Sequence, residues 1–81
     1  MEVVANQYVK EAASATNEVI TFPWRARYIE ILNDAATDLT YKLKSGETYA
    51  TLQADETVVV PAQSTQIIIN TAGAYRLRAY G

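Results

Sequence analysis

From Phe22 to the end of the chain, short runs of β-branched, aromatic and aliphatic residues alternate with turn signals at regular spacing. That texture restricts the chain to an all-β fold with many short strands. Leu39-Thr40-Tyr41-Lys42-Leu43-Lys44 alternates cleanly, placing Leu39, Tyr41 and Leu43 on one face. It ends at Ser45-Gly46-Glu47, and residues 48–53 form the return strand of a hairpin, with Ala50 and Leu52 facing one way. Thr57-Val58-Val59-Val60 and Gln66-Ile67-Ile68-Ile69-Asn70 are continuous β-branched runs, as expected of strands covered on both faces. Pro61 has no N–H to give a ladder, so the first run is expected to close there and 61–65 to act as a connection. In the last segment Tyr75, Leu77 and Ala79 alternate with Arg76, Arg78 and Tyr80.

One strand has a conflict built into it. Between Arg25 and Leu32, Ile29 and Ile31 share a face with Arg25 and Arg27, which cannot all be buried. A bulge near Tyr28, or a first half that runs past the sheet edge, resolves the conflict. Residues 33–38 (Asn33-Asp34-Ala35-Ala36-Thr37-Asp38) are rich in side chains that cap turns, a better use for them than a calcium site. The strands expected with a seventh from the N-terminal stretch make a small antiparallel β-sandwich of about six to seven strands, formed by residues 22–81. Residues 1–21 form an extended N-terminal arm or an edge strand. Tyr8 to Ala15 has acceptable helix propensity, whereas Val3-Val4 and residues 16–21 lean extended.

The chemistry open to 81 residues without cysteine or histidine is narrow. The commonest general base, the commonest metal ligand and the thiolate are all missing. Serines lie outside any recognisable nucleophile motif, the acids Asp34, Asp38, Asp55 and Glu56 fall in turns, and the three glycines are isolated. The reading is a protein that is not an enzyme and uses no cofactor or metal. Seven basic against nine acidic residues argue against nucleic acid as the partner. No apolar run reaches the ~18–20 residues that cross a bilayer, and the first residues lack a signal-peptide pattern, so a membrane partner is not expected.

Surface-forming residues are more informative. Arg25/Arg27 and Arg76/Arg78 are two Arg-x-Arg pairs on expected strands, which must face acids or lie apart. Trp, Tyr and Arg are the usual anchors of protein interfaces. The residues expected to contact a partner are therefore Val3, Val4, Tyr8, Phe22, Trp24, Arg25 and Arg27, with Val58, Val60, Ile67 and Ile69 expected to pack. Trp24 covering one open end of the core is the competing reading for that residue.

The stretch Arg27-Tyr28-Ile29-Glu30-Ile31-Leu32-Asn33-Asp34, the Leu39–Leu43 strand and the closing segment 73–81 together resemble the small all-β virion proteins of tailed bacteriophages. That group includes head decoration (cement) proteins and neck or tail accessory proteins. The resemblance implies a non-enzymatic structural protein, assembled in the host cytoplasm into the virion. Its expected role is capsid decoration, bridging major-capsid subunits as a homo-oligomer on the particle. A neck or tail accessory protein and a small carbohydrate-binding β-sandwich module, with Trp24 stacking on sugars, are the alternatives.

Overall fold

The computed structural model describes residues 7–81. Six strands are present: β1 (Gln7–Ala12), β2 (Ala15–Asn33), β3 (Leu39–Lys42), β4 (Ala50–Leu52), β5 (Thr57–Thr71) and β6 (Tyr75–Tyr80). They form one antiparallel sheet in the order β1-β6-β2-β5-β3-β4. The all-β class is as the sequence indicated, but the architecture is one continuous sheet rather than a sandwich of two separate ones.

Continuity comes from two long strands. β2 pairs with β5 from Ala15↔Thr71 to Leu32↔Thr57. The far half of β2 also pairs with β6, and the far half of β5 with β3. Hence β1-β6-β2-β5 makes one half of the sheet and β2-β5-β3-β4 the other. The runs expected to be separated at Pro61 belong to a single strand. Pro61 is tolerated because residues 57–65 have a partner strand on one side only, and a bulge follows at Gln63, where φ is +51°.

β2 inverts its alternation twice, first near Asn17 (φ +46°) between buried Ala15 and Ile20 and again at 27/28, and β5 inverts once. In β2, Ile20, Phe22 and Ala26 face inward, then Arg27 and Tyr28 both face out, and Ile29 and Ile31 face inward again. The register shift between Ala26 and Tyr28 is a bulge, the first of the two ways in which the arginine conflict could be resolved. In β5 the change falls between Ser64, opposite Ala26, and Ile67. Both halves thereby direct their apolar faces at one core. Ile29, Ile31, Tyr75 and Leu77 come from one half; Ile67, Ile69 and Leu39 come from the other, and all are fully buried. Val58 and Val60 pack against the same cluster. Each such side chain contributes about 1.5–3 kcal/mol through burial.

The pairing pattern is unchanged when β1, β2 and β3 are exchanged with β4, β5 and β6: the sheet order simply reverses. This internal two-fold matches Asn33 at the end of β2 with Thr71 at the end of β5, the only buried polar residues among those described. Asn33 Oδ1 accepts the Ala35 N–H at 3.1 Å, and Thr71 Oγ1 accepts the Gly73 N–H at 3.2 Å. Each residue starts the loop after its strand with the same i to i+2 side-chain turn. The two loops meet, and the Asp34 N–H donates to the Ala74 carbonyl at 3.0 Å.

The N-terminal stretch is not helical where it is described. Residues 7–12 form an edge strand along β6, from Gln7↔Tyr80 to Ala12↔Tyr75, and β2 runs straight through the boundary expected at 21/22. Pairing and burial against β6 override the modest helix propensity of this segment. An arm can involve residues 1–6 alone, which lie outside the described residues.

Candidate functional site

Of the residues expected to contact a partner, Tyr8, Phe22 and Trp24 come together. Tyr8 meets Phe22 edge-on with ring centroids 5.4 Å apart, and Phe22 stacks on Trp24 at 6.2 Å. Phe22 is buried, while Tyr8 and Trp24 pack against the core from its margin. These rings close one end of the core, the competing role considered for Trp24. Val3 and Val4 lie outside the described residues. Arg25 and Arg27 are exposed on the opposite side of β2, and Arg27 Nη2 donates to the Gly81 carbonyl at 3.3 Å.

The outer face of the β1-β6-β2-β5 half carries a different set of residues. Register aligns Val9, Arg78, Glu30 and Val59 in one row across the four strands. The adjacent row is Gln7, Tyr80, Tyr28 and Pro61. Val9, Tyr28 and Val59 are 56%, 51% and 55% exposed, unusual values for large apolar side chains on a packed sheet. The β2 bulge puts Tyr28 there beside Arg27, since both consecutive residues face out. Sequence reasoning passed over Val9, Tyr28 and Val59. Tyr28 entered only as the position of a bulge, and Val9 gained a face only once β1 paired with β6.

Charges on this face are matched. Arg76 grips Asp34 with two bonds, Nε to Oδ2 at 2.8 Å and Nη2 to Oδ1 at 2.9 Å. Arg78 Nη1 lies 3.3 Å from Glu30 Oε1. So one Arg-x-Arg pair faces acids, and the other lies apart from it. The Arg76 bonds hold the Asp34 carboxyl below its usual range. On the inner side Lys10 bonds Glu18 at 3.0 Å, which raises the lysine pKa against the lowering effect of partial burial. Nearby, burial pushes the Tyr75 hydroxyl up, with the Glu18 charge adding to it.

The opposite half-sheet treats its outer face differently. Ile68 points outward between Val19 and Lys42, yet it is only 5% exposed. Tyr49 reaches over from the β3–β4 connection: its ring lies 4.3 Å from Lys42 Nζ, and its hydroxyl donates to Asn17 Oδ1. Val19, the neighbour of Ile68 on β2, is 54% exposed, so this outer face also keeps one open apolar side chain, beside the Lys42–Tyr49–Asn17 group.

Two shallow grooves remain, of about 350 and 340 Å³. The larger runs between Leu43–Glu47 and the β5 bulge, where Gln66 Nε2 donates to the Leu43 carbonyl and Glu47 accepts the Leu43 N–H. In the larger groove Glu47, Ser64 and Gln66 are engaged with backbone, and in the smaller one Asn17, Lys42 and Tyr49 engage one another. Of the calcium candidates Asn33, Asp34 and Asp38, the first two spend side-chain oxygens on Ala35 and Arg76, and Asp38 is exposed. The feature best suited to a partner is the open aromatic and arginine-bearing face. A scan against protein-family models and searches of curated proteins and of solved structures return no match to this chain.

Proposed function

We propose that the chain is a non-enzymatic structural protein of a phage virion, a capsid decoration protein that docks on major-capsid subunits through protein–protein contacts. The observation that carries the docking reading is the outer row of Tyr28 and Tyr80 flanked by Val9 and Val59, with arginines beside it. Tyrosine and arginine anchors around exposed apolar residues are the composition of interface centres. The virion assignment comes from the resemblance of residues 22–81 to small phage virion proteins, and a neck or tail location uses the same face. The carbohydrate reading draws less support, because Trp24 stacks on Phe22 and packs against the core instead of standing in a flat exposed strip.

The test is cosedimentation of the purified chain with capsids that lack their decoration protein. Wild type is expected to saturate a regular set of sites, and Tyr28→Ala to weaken binding about tenfold or more, the scale of an interface anchor. Equal binding by wild type and Tyr28→Ala would remove this face from the docking surface. No wild-type binding to capsids, necks or tails would end the virion reading.

A further inference from the structure

We infer that the outer face of the β1-β6-β2-β5 half is the contact between two copies of this chain, stacked face to face about a two-fold axis parallel to the strands. The inference rests on the reading of that face as a docking surface and puts a second copy, in place of a capsid subunit, on it. Its ground is the order of residues across the sheet. Val9, Arg78, Glu30 and Val59 read as apolar, cation, anion, apolar. A two-fold along the strand direction lays this row on its own reverse. Val9 then meets Val59 of the other copy, and Arg78 meets Glu30, twice each by symmetry. The neighbouring row obeys the same rule: Tyr80 comes to lie over Tyr28, and Gln7 over Pro61. A two-fold across the strands through the Arg78 row would instead set Arg78 on Arg78 and Glu30 on Glu30, and one between the rows would give up the Arg78–Glu30 match across the contact. The third outward row, Glu11, Arg76, Leu32 and Thr57, sets Arg76 over Leu32 and Glu11 over Thr57, so the self-complementarity is carried by the first two rows.

The arrangement also suits the ion pair. Arg78 and Glu30 are partly buried within one chain already, with side chains 39% and 25% exposed. Stacking makes a four-membered alternating set, so neither charge is desolvated without a partner. Four strands at ~4.8 Å spacing and three outward residues per strand cover roughly 20 × 20 Å, at the small end of specific interfaces. A reversible dimer in the micromolar range is the expected strength rather than an obligate one.

Sedimentation equilibrium from about 1 μM to about 1 mM tests it. The average mass of the full chain is expected to climb from 9.0 kDa towards twice that value. Arg78→Glu alone and Glu30→Arg alone place like charges across both halves of the contact and should each weaken association tenfold or more. The double exchange restores opposite charges everywhere and should recover the dimer. Because the single changes also break the pair inside one chain, Val59→Asp gives an independent check: it leaves that pair intact and should still yield a folded monomer. Monomeric wild type across the whole range overturns the inference, as does a double exchange no tighter than either single change. If wild type is monomeric yet Tyr28→Ala loses capsid binding, the docking reading stands with a different occupant. If Tyr28→Ala changes neither association nor docking, both fall.

Discussion

Gly73 and Ala35 touch across the internal two-fold: a Cβ built on Gly73 would lie 2.3 Å from the Ala35 Cβ. Their loops follow the two long strands, and no room is left between them for a second methyl group. Gly73 is thus required for close approach, while Gly46, at φ +91°, answers to backbone conformation alone.

Gly73→Ala is expected to destabilise the fold by about 1–3 kcal/mol, the usual cost of overpacking a tight contact. Ala35→Gly removes the opposing methyl, so the double variant should recover a substantial part of that loss. Urea melts of the four proteins give the coupling directly. Additive effects would show that the two loops do not press on each other.

Asn33 ties three segments together. Its Nδ2 lies within donating distance of the carbonyls of Thr37 (2.8 Å), Gln53 (3.0 Å) and Leu52 (3.2 Å), sharing two hydrogens among them. Asn33→Ala leaves buried carbonyls and the Ala35 N–H unpaired, at an expected cost of about 2–4 kcal/mol. Asn33→Asp should be nearly as damaging, because a carboxylate cannot donate to those carbonyls. Thermal melts check both, and an unchanged midpoint for Asn33→Asp would contradict the donor role.

The Asp34–Arg76 pair sets an acid limb. Its carboxyl titrates below the ordinary 3.8, chiefly through the Arg76 bonds, so its contribution is complete above that pH and lost as pH falls through the folded value. The wild-type midpoint in urea should therefore drop between about pH 4 and pH 2 more steeply than that of Asp34→Asn. The pair is exposed, so the difference should be small and should shrink in high salt.

At the alkaline end the sign reverses. Tyr75, 1% exposed, has its hydroxyl raised above the ordinary 10.0 by burial first and then by Glu18. Lys10 is raised above 10.5 by its bond to Glu18. Both contributions are present below pH 10 and are lost as pH rises through the folded values. Tyr75→Phe keeps the buried ring and removes a hydroxyl with no hydrogen-bond partner among the described residues. It is expected to match wild type within about 1 kcal/mol at neutral pH and to lose less stability on going to pH 11. A steeper alkaline loss in the variant would contradict this.

Local pattern specified the all-β class, a hairpin of residues 39–44 and 48–53 that the structure narrows to β3 and β4 with Leu39 opposite Leu52, and the alternation of Tyr75, Leu77 and Ala79 in β6. It also exposed the conflict between Arg25 and Ile31, open to a bulge or to a strand running past the sheet edge, and the paired sheet chose the bulge. These features are local: a period of two and a turn residue are enough to specify them. Tertiary structure decided the rest. Whether Pro61 ends a strand depends on which side of that strand has a neighbour, and only the unpartnered edge of β5 lets the chain run on through it. The placement of residues 7–12 depends on β6, more than sixty residues away, so neither its strand state nor the exposure of Val9 could be read locally. The internal two-fold left a faint trace, Ile29-Glu30-Ile31-Leu32-Asn33 against Ile67-Ile68-Ile69-Asn70-Thr71, legible only once the strands are paired. At its centre the traces differ in one residue of consequence. Outward-facing Ile68 is buried in a groove it shares with Tyr49, and outward-facing Glu30 pairs with Arg78. Local pattern fixes which way a side chain points, but only the completed sheet fixes what it meets there.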